Sequence, residues 1–397
     1  MGKILFLANL VPYPTDNGGK IFTKSVLKSL STKNSIDLVC FYENENIEEA
    51  RNCLQMYCNS ITFIRTKITT RQNMKSMIFK AFLSLFSSKP LAVLKFQNRM
   101  MKNIIKSLLK KQKYDYVFYN ILAMYNYSSF IKQLNDNITH VLYEQNCEAI
   151  IYKRMIKETS GLKRVFVRIE KNKLQKFEQN AISKVDKLIL LSQEDKNALG
   201  VNRECSIIPI GVDSNVIQKK CSFSPEKIRL LFIGTMSWTP NSEGIVWFIE
   251  NVIPKCDENK VFLSVVGKNP SEEIVRLAKV HKNVKLLGYV DNLDTVFEDN
   301  DVLVVPLFIG SGQRVKILEA FSRAFPVITT SIGVEGLKHK DGENVLIAND
   351  SDSFVNIITK CCSFEILSKI GMNGRKIFME EYSQEIVTTR ILDVFNK

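Results

Sequence analysis

The segment from Asp301 to Leu337, DVLVVPLFIGSGQRVKILEAFSRAFPVITTSIGVEGL, constrains the fold of this chain more than any other. It opens with a near-continuous apolar run, Val302 to Phe308, the pattern of a strand buried on both faces. A loop of small residues follows, Gly310, Ser311 and Gly312. Val315, Ile317, Leu318, Phe321 and Phe325 then recur at helical spacing until Pro326 ends the helix and VITT starts the next strand. This is a βαβ unit, with Arg314, Lys316 and Glu319 in the first helical turns.

Such a unit suits an anion. Glycines let backbone N–H groups approach an oxyanion closely, and a helix N-terminus adds roughly half a positive charge. Arg314 offers a planar fork and Lys316 a point charge, a pair fitted to a diphosphate. Glu319, about one turn further on, is placed to accept hydrogen bonds from sugar hydroxyls. A plainer reading is also open: Lys316 and Glu319 as an i,i+3 surface pair, with the glycines only making a turn. Two familiar phosphate motifs are excluded. The dinucleotide fingerprint needs a third glycine where Val315 stands, and no GxxxxGK[ST] loop occurs.

At 397 residues the chain exceeds one typical domain, so two are expected. No apolar run approaches the roughly 18 residues needed to span a bilayer. The start, MGKILFLANLVPYP, imitates a signal peptide but lacks a small-residue cleavage site, and it reads as a first buried strand. Nine cysteines without metal-ligand spacing point to free thiols in a reducing cytoplasm and to no metal. The net charge of +14 is concentrated between Arg65 and Lys113, where thirteen Lys or Arg occur and no Asp or Glu.

The chain repeats the βα pattern twice over. Residues 3–10 read as a strand, then a loop containing Asn17, Gly18 and Gly19, then a helix, then a strand at 35–42. The DNGG loop stands where ligands enter open α/β sheets, though it is also good turn chemistry. The basic window, FKAFLSLFSSKPLAVLKF and RMMKNIIKSLLKKQK, has the composition of basic amphipathic helices that lie on anionic membranes. A solvated face over an ordinary core and a nucleic-acid surface are the alternatives, and no nucleic-acid-binding module is recognisable. Strands follow at 114–120 and 138–144, then EQNCEAIIYKRM, where Glu148 either touches a ligand or caps the helix it opens. His140 lies within a strand and reads as a core or edge residue. Residues 162–184 form a long basic helix, and strands at 187–192 and 206–213 close the first domain. Residues 214–226 lose periodicity and read as a linker. A new sheet begins at 227–235, with Gly234 opening the loop GTMSWTPNSEG, and continues through 261–268, 284–292 and 344–349.

GxGxRxKxLEAF followed by PVITTSIGVEGL resembles the retaining nucleotide-sugar glycosyltransferases of GT-B architecture, the large group that includes sucrose synthases, mannosyltransferases and bacterial exopolysaccharide transferases. The likeness covers most of the chain and is strongest from Arg229 to Ile347. It implies two Rossmann-like doubly wound α/β domains facing a cleft. Residues 1–213 would bind the acceptor and 227–380 the nucleotide sugar, with 381–397 a helix returning to the first domain. It implies that Gly310, Ser311, Gly312, Arg314 and Lys316 bind the donor diphosphate, Arg314 and Lys316 acting on the departing charge. Glu319 would hold the ribose, Tyr289 and Val290 would lie against the base, and Gly234 would line the donor site. Asn17, Gly18 and Gly19 would meet acceptor or phosphate. Asn120 falls where the family often carries a histidine near the reacting sugar, and Gln145 replaces another. The first of the family's two glutamates falls on Ser311.

The implied activity is sugar transfer from a nucleotide diphosphate to a saccharide or lipid-linked acceptor, with retention and without a cofactor. Its place would be cell-surface polysaccharide synthesis at the cytoplasmic face of a bacterial membrane. An epimerase or hydrolase on the same fold, a non-catalytic sugar-nucleotide-binding subunit and a basic nucleic-acid-binding protein are the competing readings.

Overall fold

Alternating apolar runs and amphipathic segments build two parallel sheets, one in each of two units. The structure is a computed structural model that describes residues 2–66, 74–157, 159–214, 216, 226–310, 312–361 and 363–396, without the side chains of 74–78 and 361. Ser311, most of the linker at 214–226 and residues 67–73 of the basic window therefore lie outside the described residues.

Unit 1 comprises Met1–Pro209 together with Val387–Lys397. Its seven strands are β1 (Lys3–Ala8), β2 (Ser35–Tyr42), β3 (Ser60–Arg65), β4 (Tyr116–Tyr119), β5 (Thr139–Glu144), β6 (Lys187–Leu190) and β7 (Ser206–Ile207). They lie in the order β3-β2-β1-β4-β5-β6-β7 and every pairing is parallel, with Ile4 opposite both Ile36 and Tyr116. Phe6 and Phe118 are both fully buried and stack at 4.8 Å. A sheet covered by helices on both faces needs this continuous apolarity. The final helix, Gln384–Asn396, closes the core through Phe395, whose ring lies 4.9 Å from that of Tyr116 and whose carbonyl accepts the Tyr116 hydroxyl at 3.1 Å.

Unit 2, Ile210–Ile386, has six strands: β8 (Ile228–Ile233), β9 (Val261–Val266), β10 (Val284–Gly288), β11 (Val302–Val305), β12 (Val327–Thr329) and β13 (Leu346–Ile347). Their order is β10-β9-β8-β11-β12-β13, again all parallel. The buried carboxylate of Asp301 pins β11 to β8, accepting from the Arg229 backbone and from its guanidinium at 2.8 Å each. The sequence places strands across 206–213 and 344–349, whereas each holds only two residues. Both are edge strands paired on one side, so little fixes their length.

The expected pair of doubly wound sheets is thus present. Each sheet reverses direction beside its first strand, between β1 and β4 in unit 1 and between β8 and β11 in unit 2. Open α/β sheets leave a crevice for ligands beyond the carboxyl ends of the strands at such a point.

Candidate functional site

In unit 2 the two loops at the reversal are those following β8 and β11. The helix after β11 spans Val315–Ser322, with Arg314 as its capping residue in extended conformation. The Arg314 side chain makes no capping hydrogen bond to the first turn, where the leading N–H groups of a helix have no partner within the helix itself. Gly310 and Gly312 take φ of 130° and 79°, a region that side chains with a Cβ rarely adopt. A Cβ on Gly310 would stand 2.6 Å from Nη2 of Arg314, so the glycine also makes room for the guanidinium. Arg314 is buried, and its Cζ sits 5.8 Å from the ring centre of Trp238 in the loop after β8.

Lys316 reaches the same place. Its Nζ donates to Oδ1 of Asn241 at 2.9 Å and lies 4.7 Å from the Phe232 ring centre. Asn241 is itself fixed by donating to the Thr235 carbonyl at 3.0 Å. Because the ammonium bonds to a neutral amide and not to Glu319, the i,i+3 surface pair is not what the structure contains. Burial lowers the Lys316 pKa to about 7, and the neighbouring positive charge of Arg314 adds to the shift. Gly234 permits this approach, since a Cβ there would lie 2.9 Å from Lys316 Nζ. Behind it, a Cβ on Gly267 would stand 1.8 Å from the Gly234 carbonyl oxygen.

Burial raises the Glu319 carboxyl, opposed by Arg323 and reinforced by Asp294. Arg323 forms an ion pair with Asp294 at 2.8 Å and also donates to the Glu319 carbonyl. Tyr289 is 44% exposed at the end of β10, with Nζ of Lys268 3.9 Å from its ring centre. Val290 beside it is partly exposed. The structure therefore gathers Gly234, Gly310, Arg314 and Lys316 around one point. Trp238, Asn241 and Lys268 were not singled out from sequence. Asn241 lies 75 residues from Lys316, so only the strand order joins them.

In unit 1 the reversal brings the DNGG loop together with Asn120. Asn17 caps the Gly18–Ser31 helix, its side chain accepting from Lys20 N at 3.1 Å. Lys20 is neutralised by Asp16 and Glu45, each at 3.2 Å. Asn120 is fully buried and donates to Thr23 Oγ1 at 2.8 Å, while Gln145 donates to its carbonyl at 2.7 Å. Among the described residues the Asn120 Oδ1 has no hydrogen-bond partner. Glu148 opens the Glu148–Lys157 helix, and its backbone N–H is taken at 2.9 Å by Glu178 of the Gly161–Lys184 helix. Burial raises the Glu148 carboxyl and nearby Lys95 counters the rise. His140 is fully buried with Nδ1 2.7 Å from the Tyr119 hydroxyl. Burial lowers its pKa to about 4, with Lys132 contributing.

The two sheets and their reversal points have the GT-B fold. Residues 227–363 match the family model described as Glycosyl transferases group 1. Across 99% of its length it superposes on 98% of a sucrose-phosphate synthase from Thermosynechococcus elongatus, with a TM-score of 0.71 and 14% identity. It covers all of Anabaena HepE, solved in complex with UDP and glucose, with a TM-score of 0.67 and 14% identity. A Klebsiella pneumoniae protein described as an uncharacterized 44.6 kDa protein in the cps region is 25% identical over 98% of this chain and 99% of that one.

Proposed function

We propose that this chain transfers a sugar from a nucleotide-diphosphate donor bound by unit 2 to a saccharide or lipid-linked acceptor, with retention at the anomeric carbon. The observation that carries this reading is the meeting of Arg314 and Lys316 at a helix start beside Gly310. In the reaction the bond between the anomeric carbon and the diphosphate oxygen breaks, and the electron pair leaves with the diphosphate. Arg314, Lys316 and the first-turn N–H groups stabilise that charge as it develops, which acts on the transition state more than on the bound donor. The acceptor hydroxyl forms the new glycosidic bond and passes its proton to the departing diphosphate oxygen. Glu319 holds the ribose, Tyr289 and Val290 border the base, and Gly234 with Gly310, Ser311 and Gly312 lets the phosphates approach.

On the acceptor side, Asn17, Gly18, Gly19, Asn120 and Glu148 are the contacts we assign within unit 1. A UDP donor fits the UDP and glucose in the HepE structure, and a role in surface polysaccharide synthesis fits the cps-region relative. The basic stretch 65–113 attracts an anionic membrane, in keeping with the exposed Arg99, Lys106, Lys110 and Lys111 of the Arg99–Lys111 helix. No helix among the described residues is long and apolar enough to cross a bilayer.

The test is turnover of UDP- and GDP-sugars by Arg314→Ala and Lys316→Ala. Each variant should lose about a thousandfold in transfer rate, the range for removing a charge-stabilising group, while its thermal unfolding stays that of the parent. Near-normal rates in both would rule the mechanism out. Donor consumption at full speed with no acceptor present would point to a hydrolase or epimerase.

A further inference from the structure

Large apolar side chains that stand in water without neighbours are informative, because folding leaves few of them in a cluster. On the Met74–Leu85 helix and the turn after it, Phe79, Phe82 and Phe86 are 62%, 57% and 79% exposed. Their spacing of three and four residues places them on one helical stripe. The rings of Phe82 and Phe86 meet edge to face at 5.2 Å, so the stripe is continuous at that end. A second stripe of the same spacing, Leu162, Val165 and Ile169, is exposed on the Gly161–Lys184 helix.

The outward direction of the aromatics is enforced from below. Ser84, fully buried, donates to Oε1 of Glu170 at 3.0 Å, and Lys173 donates to the Ser84 carbonyl. The other Glu170 oxygen accepts from Leu91 N at 2.5 Å, fixing the start of the next short helix. A polar residue faces the protein here and phenylalanines face the solvent, the reverse of an ordinary surface helix.

Charge decides what covers this face. Residues 65–113 contain no Asp or Glu. The two acids of the Gly161–Lys184 helix, Glu170 and Glu178, are both buried, whereas Lys163, Arg164 and Arg168 are exposed. Two copies of this chain meeting through the patch would bring cation against cation. A nucleic acid would use the charge but has no use for aliphatic side chains such as Leu162. Apolar rings flanked by cations on a helix are what an anionic lipid surface takes up, rings at the acyl boundary and ammonium groups among the headgroups.

We infer that the Met74–Phe86 segment is a membrane insertion element: Phe79, Phe82 and Phe86 enter an anionic bilayer, and the surrounding lysines and arginines bind its headgroups. This deepens the attraction assigned above to residues 65–113, and it requires nothing of the transferase chemistry. Attraction by charge alone would vanish in salt, whereas insertion leaves a residue of binding that salt does not remove.

The experiment is co-sedimentation of the full chain with vesicles of phosphatidylcholine, alone or with about one third phosphatidylglycerol, at low salt and at about 0.5 M salt, where the Debye length is only roughly 4 Å. The parent should bind the anionic vesicles, weaken in salt and keep a measurable fraction. The triple variant Phe79→Ser, Phe82→Ser, Phe86→Ser should lose about a hundredfold in affinity and all of the salt-resistant fraction. The triple variant Lys106→Gln, Lys110→Gln, Lys111→Gln should lose the salt-sensitive part only. Unchanged binding by the phenylalanine variant overturns the inference. So does a parent that is dimeric by sedimentation and becomes monomeric in that variant, which would make the patch a contact between copies. Calorimetry with UDP on each protein separates the two readings: intact UDP binding with no vesicle binding sinks this inference alone, and the converse sinks the donor site alone.

Discussion

The two reversal points carry the same strand geometry and opposite electrostatics. In unit 1 the available cation, Lys20, is neutralised by Asp16 and Glu45, and the residues around it are amides and hydroxyls tied to one another. In unit 2 the cations Lys316 and Arg314 lie together, and Lys316 hydrogen-bonds a neutral amide. Keeping two positive groups in one buried place costs stability, and the lowered pKa of Lys316 is that cost expressed as a preference for the neutral amine. A fold tolerates such a cost where an anion removes it. The sheet thus provides a place for a ligand, while the side chains decide its charge.

The backbones differ in the same sense. At the unit 2 reversal, Gly267 lets one strand end lie directly on the Gly234 carbonyl, whereas a Cβ on Gly19 of unit 1 would meet nothing nearer than 3.5 Å. The largest effect expected from this contrast is at Gly267. Gly267→Ala places a Cβ 1.8 Å from the Gly234 carbonyl oxygen at a φ of 151°, and should lower unfolding stability by about 3 kcal/mol or more. A denaturant titration showing less than about 1 kcal/mol of loss would break the claim that the unit 2 loops are packed backbone on backbone.

The next effect is on pH. A diphosphate prefers the charged form of Lys316, and above pH 7 the free protein carries it increasingly neutral. Binding must then take up a proton, so UDP affinity should fall by up to about tenfold per pH unit above pH 7.5. Calorimetry in two buffers of different ionisation enthalpy measures that proton, and in Lys316→Met it should disappear. A flat affinity from pH 7.5 to 9 would mean that Arg314, not Lys316, supplies the charge that matters.

The smallest effect is the converse substitution in unit 1. Gly19 lies within the Gly18–Ser31 helix without a left-handed φ, so Gly19→Ala should be neutral or stabilise by about 0.5 kcal/mol. A loss above 1 kcal/mol, read from the thermal midpoint, would mean that the DNGG loop is as tightly built as its counterpart.

The sequence made the βαβ unit around Gly310 legible, because strand, loop and helix each have a local period and the two cations sit within it. Asn241 and Trp238 were not legible as their neighbours, since their partnership depends on β8 lying beside β11. The basic window shows a similar limit. Its helical spacing is plain, yet Met101 and Ile105 are buried while Phe79, Phe82 and Phe86 are exposed. Both groups look equally apolar in a one-dimensional pattern, and only the Ser84–Glu170 contact tells which side faces inward.

The last helix carries a consequence for how the chain is made. Phe395, Val394 and Thr388 complete unit 1 through Tyr116, Lys187 and Ser29, but they are synthesised only after all of Ile210–Ile386. During translation the first sheet waits with a bare aromatic patch at Tyr116 while a whole second body emerges from the ribosome. A message cut short after the second body would release a protein exposed at that aromatic patch, and such a product is a natural client for chaperones.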